Sequence, residues 1–255
     1  PPRSPAPPPL RVPGPSRPPP AACAPKGCTT RASHLRNSTR SSRFPTPLFT
    51  CLAHVFLFLD LTAHVSWLPI FMVRHFVIKP STAATISGGL VVVGGLIGTL
   101  GGGWVADWRS KRDAKGNLEV SLVGFLVAAV SVALAILAPT LTLFIPVSLI
   151  SSIALYLYSG PFTAIGQNVV PPSLRASAVT LSLFTAHLLG DSWSPTAVGF
   201  LSDHLHSLQT ALLITSTPLI LVASLFTWIA FRTIGHDTAA MEDTWAAGRT
   251  EALPV

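Results

Sequence analysis

His187 and Asp191 stand four residues apart in the run LFTAHLLGDSWSP, which carries no other ionisable side chain. On a helix that spacing puts both on one face, a turn apart, where an imidazole and a carboxylate can hold and pass a proton. Asp60 and His64 repeat the spacing in another apolar run, and Trp67 and Phe71 continue their face at steps of three and four. Ionisable groups in long apolar segments are costly in a bilayer and point into a bundle or a wet cavity. Both pairs are therefore candidates for coupling proton movement to solute movement. The alternative for each is a structural pair whose members satisfy one another inside packed protein. Trp67 and Tyr156 are candidate aromatic walls for a solute.

Other chemistries find less support. Ser159-Gly160 and the scattered histidines make no nucleophile motif, and neither a His-Glu-x-x-His helix nor a paired metal-ligand spacing occurs, so no metal and no cofactor is expected. Cys23 and Cys28 read as free thiols.

The elements that must position these residues are membrane helices. Charged residues make up 11% of the chain and the mean hydropathy is +0.55. That is about half the charge of a soluble domain. Between Thr82 and Ala106 no residue is charged, and the 25 residues of this run are long enough, as a helix, to cross a hydrocarbon core of about 30 Å. Gly94, Gly98 and Gly102 fall in steps of four, with Gly95, Thr99 and Gly103 one place on. In lipid such a ladder lets a neighbouring helix come close, which predicts face-to-face packing of this helix. The other predicted spans are 48–73, 118–137, 141–163, 174–202 and 211–231. Pro146 and Gly160-Pro161 are expected to kink the fourth, and Gly190 and Pro195 to bend the fifth; Ser173 is placed to cap the latter. Ser152, Tyr156, Ser159, Thr163 and Gln167 form a polar stripe expected to serve hydrogen bonding between helices.

This divides the chain into a Pro/Arg-rich tail (1–47), a transmembrane bundle (48–234) and a polar C-terminal tail (235–255). The first tail has almost no large apolar side chains and is expected to be disordered. No methionine opens the chain and the first is Met72, so the sequence reads as a fragment, or as a gene model whose first segment is not part of the folded protein. A formal charge of +7 invites a nucleic-acid partner, but eight of the 17 Lys and Arg precede residue 48 and four lie between Arg109 and Lys115. That distribution marks orientation and lipid contact. With both termini in the cytoplasm, six spans leave only Arg74 and Lys79 outside.

The run Gly103-Trp-Val-Ala-Asp107-Trp-Arg109-Ser-Lys111-Arg112 resembles the cytoplasmic loop signature of the major facilitator superfamily, roughly G-x-L-A-D-R-x-G-R-K, departing at Trp108 and Ser110. Val169-Val-Pro-Pro-Ser-Leu-Arg175-Ala, His187-Leu-Leu-Gly-Asp191, Ser194-Pro195 and Gly199-Phe-Leu-Ser-Asp203 resemble the eleventh-helix region of its Spinster-like branch. Trp67-Leu-Pro69 and the glycine helix resemble the seventh and eighth helices. The matches cover about residues 50 to 234.

The resemblance implies an all-α integral membrane protein, a six-helix bundle equivalent to the C-terminal half of a major facilitator fold. It implies a secondary active transporter, or half of one, moving a small organic or amphipathic, lipid-like solute in partnership with a missing N-terminal six-helix half or a second copy. Gly103, Asp107, Arg109, Lys111 and Arg112 are expected to form a cytoplasmic latch held by charge pairing. A non-transporting scaffold is the alternative, and an intramembrane enzyme stands third.

Overall fold

The computed structural model describes residues 45–113, 115–168, 170 and 174–251. The tail 1–44 with its cysteine pair, and the Pro171-Pro172-Ser173 break with its expected cap, lie outside the described residues. All regular elements among those described are helical: α1 (Pro45–Phe76), α2 (Pro80–Ser110), α3 (Gly116–Ile136), α4 (Leu141–Tyr156), α5 (Ser159–Asn168), α6 (Arg175–Ala186), a π-helical turn (His187–Asp191), α7 (Ser194–Leu205) and α8 (Leu208–Glu251). In lipid every backbone polar group must be satisfied within the segment, and helices do this for uncharged apolar runs.

Five stretches are long and apolar enough to cross a membrane: Thr46–Phe76, Pro80–Ser110, Gly116–Ile136, Leu141–Gln167 and Leu208–Gly235. The fifth passage, expected as one bent helix over 174–202, is instead two 12-residue helices joined by the five-residue π turn. Pro195 explains the break. It has no N–H to offer the carbonyl of Asp191, four residues back, and its ring would crowd that carbonyl in a regular helix; widening the turn relieves both problems. Placed in the first turn of α7, Pro195 costs that helix nothing.

The fourth passage breaks for the same reason at a different place. Pro146 lies inside α4 without interrupting it, whereas Pro161 leaves the carbonyl of Leu157 without its donor, and the chain is non-helical at Leu157 and Tyr158. That carbonyl is packed against Gly102 of α2, where any Cβ would collide with it. The glycine ladder does pack face to face. Gly94, Gly98 and Gly102 belong to the buried face of α2, and Cβ atoms added to them would run into Ser152, Ile153 and Leu157 respectively. Of the expected polar stripe, Ser159 reaches across to Thr99 of α2 at 3.2 Å, while Thr163 bonds back to the carbonyl of Ser159 at 2.8 Å.

The core lies where α1, α3, α4 and α8 meet, with Leu57, Phe71, Met72, Phe125, Phe144 and Ile220 almost fully buried. At the start of α1 the Thr46 N–H donates to a carboxylate oxygen of Asp237 on α8 at 2.9 Å. This supplies a partner to one of the four amides that a helix start leaves open. α8 itself does not stop near Phe231 but continues as helix to Glu251, through residues assigned from the sequence to the polar tail.

Candidate functional site

The second polar stripe of α1 meets the broken fifth passage along its whole length. His54, Phe58 and Thr62 recur every four residues, so they share a face. At the α6 end, Nδ1 of His54 lies 3.3 Å from the hydroxyl of Ser182. Phe58 sets its ring edge-on to His187, centroids 4.6 Å apart, and edge-on to His54 at 5.0 Å. Thr62 donates its hydroxyl to Oδ1 of Asp191 at 2.6 Å. Beyond the turn, Ser194 donates to the carbonyl of Leu59 and the Trp67 indole N–H donates to the carbonyl of Pro195 at 3.1 Å. Gly190 makes the close approach possible: a Cβ there would fall 2.8 Å from Cβ of Phe58 and 3.0 Å from the carbonyl oxygen of Val55.

Replacing Trp67 by Phe keeps most of the apolar bulk and deletes the N–H. The lost bond should cost about 1 kcal/mol. The expected result is a melting temperature lower by roughly 2–4 °C for the purified protein; unchanged melting would show that the bond contributes nothing.

The π turn brings His187 and Asp191 together, Nδ1 to Oδ2 at 2.5 Å. The pair is not sealed. The His187 side chain is 57% exposed and that of Asp191 30%. Asp191 thus spends one carboxylate oxygen on Thr62 and the other on His187, and the imidazole keeps its second nitrogen for exchange. With His187 neutral the pair carries one negative charge, and with His187 protonated it carries none.

Asp60 and His64 are a different case. Both are buried, at 0% and 5% exposure, yet they do not satisfy one another. Neither carboxylate oxygen of Asp60, nor Nε2 of His64, has a hydrogen-bond partner among the described residues. Asp60 faces α8, where its polar neighbour is the hydroxyl of Ser216. The expected stripe of Asp60, His64, Trp67 and Phe71 is therefore divided among neighbours. Trp67 belongs to the α7 seam, while Phe71 is buried against His75, Phe76 and Phe144. Tyr156 lies against Gly95 and Gly98 of α2 rather than in the seam with Trp67.

In the basic loop the charge pair is not the expected one. Asp107 and Arg109 are two residues apart and leave the helix in different directions. Arg109 instead turns to Glu119 at the start of α3, at 2.8 Å and 3.0 Å to its two oxygens. Arg112 sits over the Trp108 ring at 4.5 Å; Lys111 and Asp107 are exposed, and Gly103 packs against Gly160 of α5.

Sequence reasoning passed over His54, Thr62 and Glu119 as site residues, and Tyr158, whose ring stands edge-on to His54 at 5.5 Å. The four-residue recurrence of His54, Phe58 and Thr62 was the available signal.

A half-exposed His–Asp pair at a helix break, five membrane-length helices among the described residues and a glycine-packed second helix define the architecture to be compared. The sequence model of the Major Facilitator Superfamily matches residues 2–195. The chain belongs to the Major Facilitator Superfamily. The match takes in most of the N-terminal tail, in which no motif of the superfamily is evident, as well as the glycine helix and the π turn.

Among its relatives are Spinster-type members. The sphingosine-1-phosphate transporter SPNS2 of Mus musculus is 30% identical over 193 residues, covering 68% of this chain and 34% of that protein. A probable sphingolipid transporter, spinster homolog 1 of Arabidopsis thaliana, is 30% identical over 145 residues, 57% of this chain and 29% of that one. A crystal structure of a bacterial homolog of the human lysosomal transporter Spinster, inward-facing and unoccupied, superposes with a TM-score of 0.64 at 21% identity, covering 89% of this chain and 55% of that chain. The occupied inward-facing form gives 0.59 at 20% identity, with 77% and 50% covered. The chain thus spans about a third of the curated relatives and about half of the solved structures. It is a multi-pass membrane protein of the major facilitator fold.

Proposed function

We propose that this chain forms one bundle of a secondary active transporter that moves an amphipathic organic solute across a membrane and couples that movement to protons at His187 and Asp191. One observation carries the reading: the helix break places a paired imidazole and carboxylate, partly exposed, on a deformable segment clasped by α1. Discontinuous helices near the middle of the membrane are where transporters hold substrate and coupling ions. Adding or removing one proton changes the charge of the pair, and the π turn is an element whose packing that charge can bias. A scaffold would use the glycine ladder but has no need of an exposed His–Asp pair.

Sphingosine 1-phosphate, named for several relatives, is the first solute to test. The exposed side of the π turn needs an opposing wall, which on this reading comes from a second six-helix bundle, either elsewhere in the gene product or in a second copy. Both termini are assigned to the cytoplasm by the bias of Lys and Arg toward that side, and a latch at that face to the Arg109–Glu119 pair between α2 and α3.

The test is flux in proteoliposomes. The full-length gene product should move sphingosine 1-phosphate or a related charged lipid down its gradient, faster when protons flow the same way or the opposite way across the membrane. The 255-residue chain, shown to be monomeric, should not. Absence of proton-dependent flux of any amphipathic anion by the full-length product would overturn the proposal.

A further inference from the structure

The buried carboxylate of Asp60 has no role in the mechanism above, and its surroundings leave its charge unanswered. It is fully buried, and both its oxygens lack hydrogen bonds among the described residues. Its polar neighbour on α8, Ser216, is also fully buried; its hydroxyl is near enough to act on the Asp60 carboxyl, yet makes no hydrogen bond of ordinary geometry among the described residues. One turn along α1, Nε2 of the buried His64 is likewise unbonded.

The elements packed around this point offer no compensating cation. α8 has no charged side chain between Leu208 and Phe231, α2 none between Pro80 and Ala106, and α5 none at all. Arg175 and Asp203 lie toward the outer ends of α6 and α7, and Arg109 is taken by Glu119. His187 and Asp191 stand on the opposite side of α1, bonded to each other and to Thr62. A bare carboxylate in such a place costs several kcal/mol. Three buried oxygens on two facing helices, sharing one negative charge, instead supply protein donors for a hard monovalent cation.

We propose that Asp60 and Ser216 form a binding site for one monovalent cation, H+ or Na+, in the seam between α1 and α8. The site is distinct from the His187–Asp191 pair but sits on the same helix. Asp60 and Thr62 are two residues apart and point to nearly opposite sides of α1. An occupant that neutralises Asp60 lets α1 settle against α8, and Thr62 carries the position of α1 to Asp191. This inference concerns binding and stands whether or not the transport reading does.

The test is the melting of the purified full chain in detergent micelles, followed by the fluorescence of its six tryptophans. Na+ is exchanged for N-methylglucamine at constant ionic strength, at several pH values. At a saturating level of its occupant the protein should melt about 5 °C higher than without it. If Na+ is the occupant, Na+ alone produces the rise at alkaline pH. If H+ is, acidification produces it without Na+. Either response should vanish in Asp60→Asn, whose side chain has the same shape and no charge, and persist in Asp191→Asn. Should Asp60→Asn not fold, Ser216→Ala decides: it should move the response to higher Na+ or to lower pH by about tenfold. A response that survives unchanged in these variants, or a wild-type chain indifferent to both ions, overturns the proposal.

Discussion

Gly98→Leu is expected to melt roughly 10 °C below the wild-type chain, from a cost of about 3 kcal/mol. The collision is with main chain, which cannot rotate away. A Cβ on Gly98 would run into the carbonyl oxygen of Ile153 and lie 3.0 Å from Cβ of Tyr156 and 3.2 Å from the Ile153 carbonyl carbon. α2 would have to lift off α4 along the whole ladder, because Gly94 and Gly102 meet the same helix and its continuation in the same way. Gly101→Leu is the control. Nothing lies within 4 Å of a Cβ at that position, so the same added bulk on the same helix should leave melting unchanged. Equal melting of the two variants would remove the ladder from the account of how this bundle holds together.

The second large effect is functional and belongs to Asp191. In the full-length gene product, Asp191→Asn should lower proton-driven uphill accumulation of solute by about tenfold or more. Downhill exchange should be retained. The amide keeps the shape of the carboxylate and can still accept from Thr62, so the turn remains anchored to α1. What it cannot do is stand as the anion opposite His187, so taking up a proton no longer neutralises the pair. Accumulation and pH–rate profiles measured side by side separate the possibilities. If the variant keeps both the wild-type pH dependence and uphill transport, Asp191 is structural and coupling lies elsewhere.

The parts of this architecture that were legible in the sequence are those written in one helix at a time. Gly94, Gly98 and Gly102 announce a buried, closely packed face because no other residue type allows that approach, and α2 buries that face. Gly190 and Pro195 announce a weak point, and the π turn from His187 to Asp191 contains the first and ends just before the helix that the second opens. Partner choice was not legible. α1 presents two polar stripes, one with Asp60 and His64 and one with His54 and Thr62, and periodicity does not say which helix each will meet. The more conspicuous stripe turned out to split between α8 and α7, and the quieter one found the π turn. Arg109 with Glu119 was hidden for a similar reason. Their contact depends on how the short turn from Lys111 to Lys115 folds α3 back along α2, and in sequence Asp107 is much nearer.

The two halves of the broken passage are hydrogen-bonded to α1 unequally. α7 is held at its very start by the Ser194 and Pro195 contacts, with Gly199 closed against the Trp67 ring 3.1 Å from where a Cβ would stand. α6 packs against α1 with one side-chain hydrogen bond, the 3.3 Å contact between Ser182 and His54, beside a cavity of about 70 Å³ lined by Thr50, His54, Phe162 and Val179. α6 can therefore shift against α1 at the cost of one hydrogen bond, and α7 only at the cost of two.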